Sequence, residues 1–197
     1  MSMKISEIDE ILKKKMSSKR FLHTKGVQYT SICLAMRYEE DLEKASYAGL
    51  LHDCAKYLSG ESLLNKARKN NLSVNETELK SPYLLHGKVG ALFADTRYDV
   101  HDEDILNAIR YHTTGRPGMS LLEKIVFTAD YIEPGRNQAP DLDQLRKMAF
   151  IDLDKCVLMI LQQTLDYLHE TGTLIDEMTQ KTYDYYHETA VKQAQEA

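Results

Sequence analysis

The sequence predicts an all-α fold, a single-domain helical bundle. Three observations point to it. Apolar residues recur at helical spacing along most of the chain, there are only four prolines, and β-branched runs are sparse. The 197 residues suffice for one ordinary domain with a real core, and no linker or internal repeat divides them, so the reading is one domain over 1–197.

The elements follow in order. Ile5, Ile8 and Leu12 open a short amphipathic helix ending near Met16, with Lys13, Lys14 and Lys15 on its solvated face. Ser17-Ser18 breaks it and caps a second helix over about Arg20–Tyr38, with His23, Val27, Thr30 and Leu34 on one face. A third is expected over Leu42–Tyr57, with Ala45, Ala48, His52 and Ala55 aligned. Glu61–Asn70 reads as a short helix, and polar Leu72–Leu85, with Pro82, as loop or short turns. His86 opens the next helix. Asp102 or Glu103 starts another, which aligns Ile105, Ile109 and His112. Thr113 to Gly118 is a loop by its Gly and Pro content. Ser120 caps Leu121–Ile132, whose stripe of Leu122, Ile125, Val126 and Ala129 has Asp130 beside it, and Pro134-Gly135 stops it. Pro140–Phe150 reads as a connector with a helical turn. Ile151–Thr171 reads as the longest clean helix, with Leu158, Leu161, Leu165 and Leu168 inward and Gly172 as its stop. A last helix covers about Ile175–Val191, with a frayed tail; its tyrosines Tyr183, Tyr185 and Tyr186 are more simply edge packing than a base-stacking site.

Composition narrows the function classes. Hydrophobic residues make up 43% and charged residues 28%, which is globular rather than disordered. The net charge of −5 provides no positive field for a nucleic-acid backbone. No apolar run approaches the roughly 20 residues that span a bilayer, and the acids in MSMKISEIDE do not suit a signal peptide. Three scattered cysteines suit free thiols in a reducing cytoplasm. Neither nucleic acid nor a membrane is therefore an expected partner, and a homodimer stays open.

The informative residues are ionisable groups on inward faces: His23, His52 with Asp53 beside it, His112, and Asp130 at a stripe's edge. Each taken singly is ordinary, a satisfied core histidine or a cap. Burying the whole set in one small core is costly unless a positive charge pairs with it. A divalent metal supplies that charge, and imidazole with carboxylate suits iron, manganese or zinc. Helical bundles build such sites from facing helices. His101 lies in a polar turn, His169 at a helix end and His187 on a polar tail, so none of them joins the set.

His23, then His52-Asp53, then Asp130 resembles the H…HD…D pattern of the HD-domain metal-dependent phosphohydrolases. His86 and His112, lying between, resemble the extra ligands of its binuclear branch. The strings RFLHTKGV, LLHDCAK, HGKVGA, IRYHTTGRPGMSLLEKIVFTADYIEPGR and GTLIDEMTQKTYDYY resemble the bacterial YqeK family, from about Ser18 to Tyr186. The motifs fill about 18–136, and helices over about 151–191 complete the bundle. The resemblance implies symmetrical hydrolysis of diadenosine tetraphosphate into two ADP. It implies a binuclear metal site, with iron as the metal; manganese and zinc suit the ligands equally. His23, His52, Asp53 and Asp130 would hold one metal, and Asp53, His86 and His112 the other, with Asp53 shared. Asp53 and Lys56 are the catalytic candidates, with Lys56 steadying a phosphate or the leaving group from the same side as Asp53. Arg20, Lys56, Thr113, Thr114 and Arg136 are the substrate-binding candidates, because polyphosphates need cations, hydroxyls and backbone N–H groups. Such a ligand set senses only phosphate, so a deoxynucleotide, a cyclic dinucleotide or a guanosine polyphosphate fits it too. A non-catalytic nucleotide sensor would be expected to have lost some of the ligands, and all of them are present.

Overall fold

The computed structural model describes residues 2–196. Eleven α-helices occur among them: α1 (Ile5–Lys15), α2 (Ser18–Tyr38), α3 (Leu42–Leu51), α4 (Gly60–Lys69), α5 (Glu76–Lys80), α6 (His86–Tyr98), α7 (Glu103–Tyr111), α8 (Leu121–Ile132), α9 (Leu142–Ala149), α10 (Leu153–Glu170) and α11 (Glu177–Glu196). A 3-10 turn, Pro82–Leu85, leads into α6, and no strand occurs among the described residues. Nor is any described helix long and apolar enough to cross a membrane. Side-chain oxygens cap α2 (Ser17), α3 (Asp41), α7 (Asp102) and α8 (Ser120), each satisfying backbone N–H groups that a helix start leaves unpaired.

The central helix is α3. It packs against α2, α6, α7 and α8. A helix surrounded in this way has no solvent face, and every residue from Ala45 to Leu51 is buried. Two glycines allow one helix backbone to approach another closely. A Cβ on Gly49 would lie 2.9 Å from the Cα of Gln28 in α2, and one on Gly87 would lie 2.7 Å from the Arg110 carbonyl in α7. The first draws α3 onto α2 near His23, and the second draws α6 onto the end of α7 near His112. One continuous apolar core runs from Ile8 in α1 to Tyr186 in α11.

The structure departs from the sequence expectation at several points. α3 ends at Leu51, not Tyr57. The chain then winds in three-residue turns, with Cys54 N bonded to Leu51 O, Lys56 N to Asp53 O, and Leu58 N to Ala55 O. Apolar spacing over six residues fits a repeat of three as well as 3.6, so periodicity could not separate them. The consequence for Lys56 is favourable, because side chains at i and i+3 eclipse in such a winding. Pro140–Phe150 contains a full helix, α9, rather than a turn. Helix α10, with 18 residues, is shorter than α2 with 21. Its buried stripe is Leu153, Cys156, Val157, Ile160, Leu161 and Leu165, leaving Leu158 and Leu168 half-buried. α11 continues past Val191 to Glu196, and Ala197 lies outside the described residues.

Below the Thr113–Met119 loop, Glu123 is buried at 1% exposure. It accepts from Arg116 Nε and Nη2 at 2.7 and 2.8 Å, and its Oε2 also caps α8 through Ser120 N at 2.6 Å. Glu123→Ala removes the reciprocal half of that cap and leaves a partly exposed guanidinium unpaired. We expect a loss of about 2 kcal/mol, since a cap is worth about 1 and a half-buried ion pair about as much again. Urea unfolding measures it, and an unchanged midpoint would show that the pair does not anchor the loop.

Candidate metal centre

Four imidazoles and two carboxylates converge between α2, α3, α6, α7 and α8. His23 comes from the second turn of α2. His52 and Asp53 follow α3 directly, His86 opens α6, His112 ends α7, and Asp130 sits near the end of α8. Asp53 is at the centre. Its Oδ2 lies 3.6 Å from His52 Nε2 and 3.9 Å from His23 Nε2. Its Oδ1 lies 3.3 Å from His86 Nε2 and 3.6 Å from His112 Nε2. Asp130 Oδ1 joins the first half, 3.1 Å from His23 Nε2 and 3.8 Å from His52 Nε2. Two overlapping groups, His23–His52–Asp130 and His52–Asp53–His112, bring ligand-type atoms within 4.8 Å of one another.

Hydrogen bonding fixes which nitrogens face the centre. His52, His86 and His112 direct Nδ1 at the carbonyls of Gly49, Tyr83 and Ile109, at 2.7, 2.6 and 2.7 Å. A carbonyl only accepts, so each Nδ1 carries a proton, and in the neutral form of each ring the nitrogen left bare is the inward Nε2. The consequence is a crowd of acceptors. His86 Nε2 and His112 Nε2 stand 3.0 Å apart, with Lys56 and Thr113 on the rim as the side-chain donors within reach of them. His23 Nε2, His52 Nε2 and Asp53 Oδ1 are buried without a hydrogen-bond partner. Buried acceptors facing one another are unfavourable unless a cation lies among them. The donor set therefore fits a divalent metal.

Protonation states agree with that fit. Burial would raise the pKa of Asp53, but His52, His112 and His86 outweigh it and hold the carboxyl well below its usual range. Burial also opposes ionisation of Asp130, where His23, the other imidazoles and Arg136 prevail and lower its pKa. Burial, with Lys56 and His112 nearby, pushes His86 down to about 3. Ionised carboxylates and a neutral imidazole are the forms that bind metals.

Cationic residues ring the cluster. Arg20 Nη1 donates to Asp53 Oδ2 at 2.8 Å, and Arg136 Nη2 to Asp130 Oδ1 at 2.9 Å. Lys56 Nζ lies 3.0 Å from His86 Nε2 and 4.0 Å from Asp53 Oδ1. Thr113 Oγ1 is 3.2 Å from His86 Nε2 and 3.1 Å from His112 Nε2, on the same rim. Thr114 is placed differently, with its hydroxyl donated to the Gly115 carbonyl at 2.9 Å. Beside the cluster, sharing only Arg136 with it, a trough of about 770 Å³ opens between the Pro134–Asp141 loop and α9. His101, away from the cluster, pairs with Asp95 and Asp99. Tyr186 is buried, and Tyr183 bonds to Gln162, so both pack the bundle.

One residue of the site was not legible in the sequence. Glu133 is buried and its Oε1 lies 3.0 Å from His23 Nδ1. It sits one residue past the end of α8, where helical spacing no longer places side chains. Its only sequence signal was its place in the string ADYIEPGR.

This helical cage, with its histidines and acids in that chain order, defines a class. Residues 20–135 match the HD domain, and the chain belongs to the HD-domain family. Its relatives within that family narrow the class further. The chain is 40% identical over 157 residues to the symmetrical bis(5'-nucleosyl)-tetraphosphatase of Bacillus subtilis, covering 80% of this chain and 83% of that one. It is 40% identical over 159 residues to the protein of the same name from Halalkalibacterium halodurans, covering 81% and 84%. A Clostridium acetobutylicum crystal structure, described as a predicted HD superfamily hydrolase involved in NAD metabolism, superposes with a TM-score of 0.93 at 40% identity, covering 96% of this chain and 100% of that one.

Proposed function

We propose that this protein hydrolyses diadenosine tetraphosphate symmetrically, to two ADP, at a two-metal centre. The observation that supports the two-metal form best is the division of Asp53, whose Oδ2 faces His23 and His52 while its Oδ1 faces His86 and His112. In this reading His23, His52, Asp53 and Asp130 hold one cation, and Asp53, His86 and His112 the other. Iron is the metal implied by the family resemblance, and manganese and zinc suit the same ligands. Bound there, divalent cations supply an activated water at neutral pH and neutralise charge on the phosphate oxygens.

The chain's own residues then bind and orient the polyphosphate. Arg20 and Arg136 present guanidinium forks on the His23–His52 half of the cluster, at Asp53 Oδ2 and Asp130 Oδ1, suited to phosphate oxygens. Lys56 stands on the rim beside Asp53 and His86, where its ammonium meets charge developing on the departing ADP. The Thr113 hydroxyl lines the same rim, and the adjacent Thr114 would offer its backbone N–H to a phosphate. The trough beside Arg136 has room for a nucleotide-sized group. The choice of the tetraphosphate over other phosphorylated nucleotides follows the name carried by the relatives. Every proposed ligand comes from one chain, so the site is compatible with a monomer or a homodimer. The three free thiols suit the cytoplasm.

Product analysis tests the reaction. Attack between the second and third phosphates releases ADP alone, and chromatography of early time points should show it as the primary product. ATP together with AMP would mean asymmetrical cleavage and contradict the proposal.

A further inference from the structure

We propose that Glu133 and Gly26 form a positioning pair that fixes the ring of His23, so that its Nε2 faces the metal centre. The proposal rests on the two-metal reading above.

The other three imidazoles find their Nδ1 acceptors locally, at the carbonyl three residues earlier. They can do so because of where they sit. Gly49 and Ile109 lie in the last turns of α3 and α7, where carbonyls have no intrahelical partner, and Tyr83 lies in a 3-10 turn. His23 lies inside α2, in its second turn, where the preceding carbonyls are committed to the helix. It needs an acceptor from another element, and Glu133 provides one from beyond α8.

Both Glu133 oxygens are engaged by N–H donors. Oε1 accepts from His23 Nδ1 at 3.0 Å, and Oε2 from the Gly135 amide at 2.6 Å. The carboxylate therefore cannot turn away without unpairing Gly135, and it holds the proton on Nδ1 of His23. That turns Nε2 toward Asp53 and Asp130 and makes it the nitrogen available to a metal.

Gly26 makes the space. It follows His23 by nearly one turn of α2, and a Cβ there would overlap Glu133 Oε2 and lie 3.1 Å from Cδ. Any larger residue at 26 displaces the carboxylate. The HTKG string is thus a ligand followed by the gap that admits the ligand's anchor.

Glu133→Gln separates positioning from packing. It keeps the side chain's length but offers one acceptor and one donor where two acceptors are needed. The amide must either leave the Gly135 N–H unpaired or donate to His23 Nδ1. The second choice moves the ring proton to Nε2 and removes the lone pair that would bind metal.

The test is a zinc titration against a chromophoric chelator on the full-length wild type, Glu133→Gln and Gly26→Ala, with circular dichroism of each metal-free protein. The wild type should bind two zinc ions. In both variants one binding step should weaken by about 10- to 100-fold, with the other step and the helical spectrum unchanged. A purely structural role would lower stability while sparing both steps. Two ions bound by Glu133→Gln with wild-type affinity would overturn the proposal, whether or not Gly26→Ala folds. A wild-type chain taking up fewer than two zinc ions would overturn the two-metal reading itself, and the pair with it, before any variant is compared.

Discussion

Asp53→Ala is expected to lose at least one metal and to lower turnover by about a thousandfold or more, because metal-activated water supplies most of the catalysis. Geometry sets the size of the effect. Asp53 is 2% exposed and stands between the two halves of the cluster, one oxygen toward each. Its removal takes a ligand from both cations and the anion that screens their mutual repulsion. It also leaves Arg20 without its 2.8 Å partner, although that guanidinium is 38% exposed and can turn to solvent. Elemental analysis and steady-state kinetics measure both effects. A variant that keeps two metals and near-normal turnover would remove Asp53 from the shared position.

Lys56→Ala should behave differently. Its ammonium touches the rim of the cluster and has no lone pair to give a metal. Burial lowers its pKa, with Asp53 and Asp130 pulling it back up. Removing it takes away no carboxylate or imidazole, so both metals should stay. The loss is one charge-assisted contact to phosphate, worth roughly 1.5–3 kcal/mol, or about 10- to 150-fold in rate or affinity. The side chain is 31% exposed and fills little of the core, so the unfolding midpoint should be unchanged. Metal loss in this variant would place Lys56 in the support of His86 rather than against substrate.

Three of the proposed ligand histidines were legible in the sequence because they share helical stripes with the core, whereas His86 entered through the family resemblance alone. His23 aligns with Val27 and Leu34, His52 with Ala45 and Ala48, and His112 with Ile105 and Ile109, and the apolar partners in each set are fully or almost fully buried. Local spacing thus placed the ring positions, although it could not show that α3 gives way to three-residue turns at His52. Spacing also fails where the decisive contact crosses the chain. Glu133 meets His23 across 110 residues, and Arg116 meets Glu123 across a loop. Neither contact leaves a periodic signal. Gly26 has the same character, since only the fold reveals what a side chain there would strike. Thr114 shows a smaller limit: adjacency to a ligand suggested a free hydroxyl, and the turn uses that hydroxyl for its own Gly115 carbonyl.

Metal analysis tests the central claim most directly. Protein purified anaerobically and without chelator should carry close to two metal ions per chain, mainly iron, held by the imidazoles and carboxylates that surround Asp53. A fully loaded protein carrying no more than one ion per chain would contradict the two-metal centre.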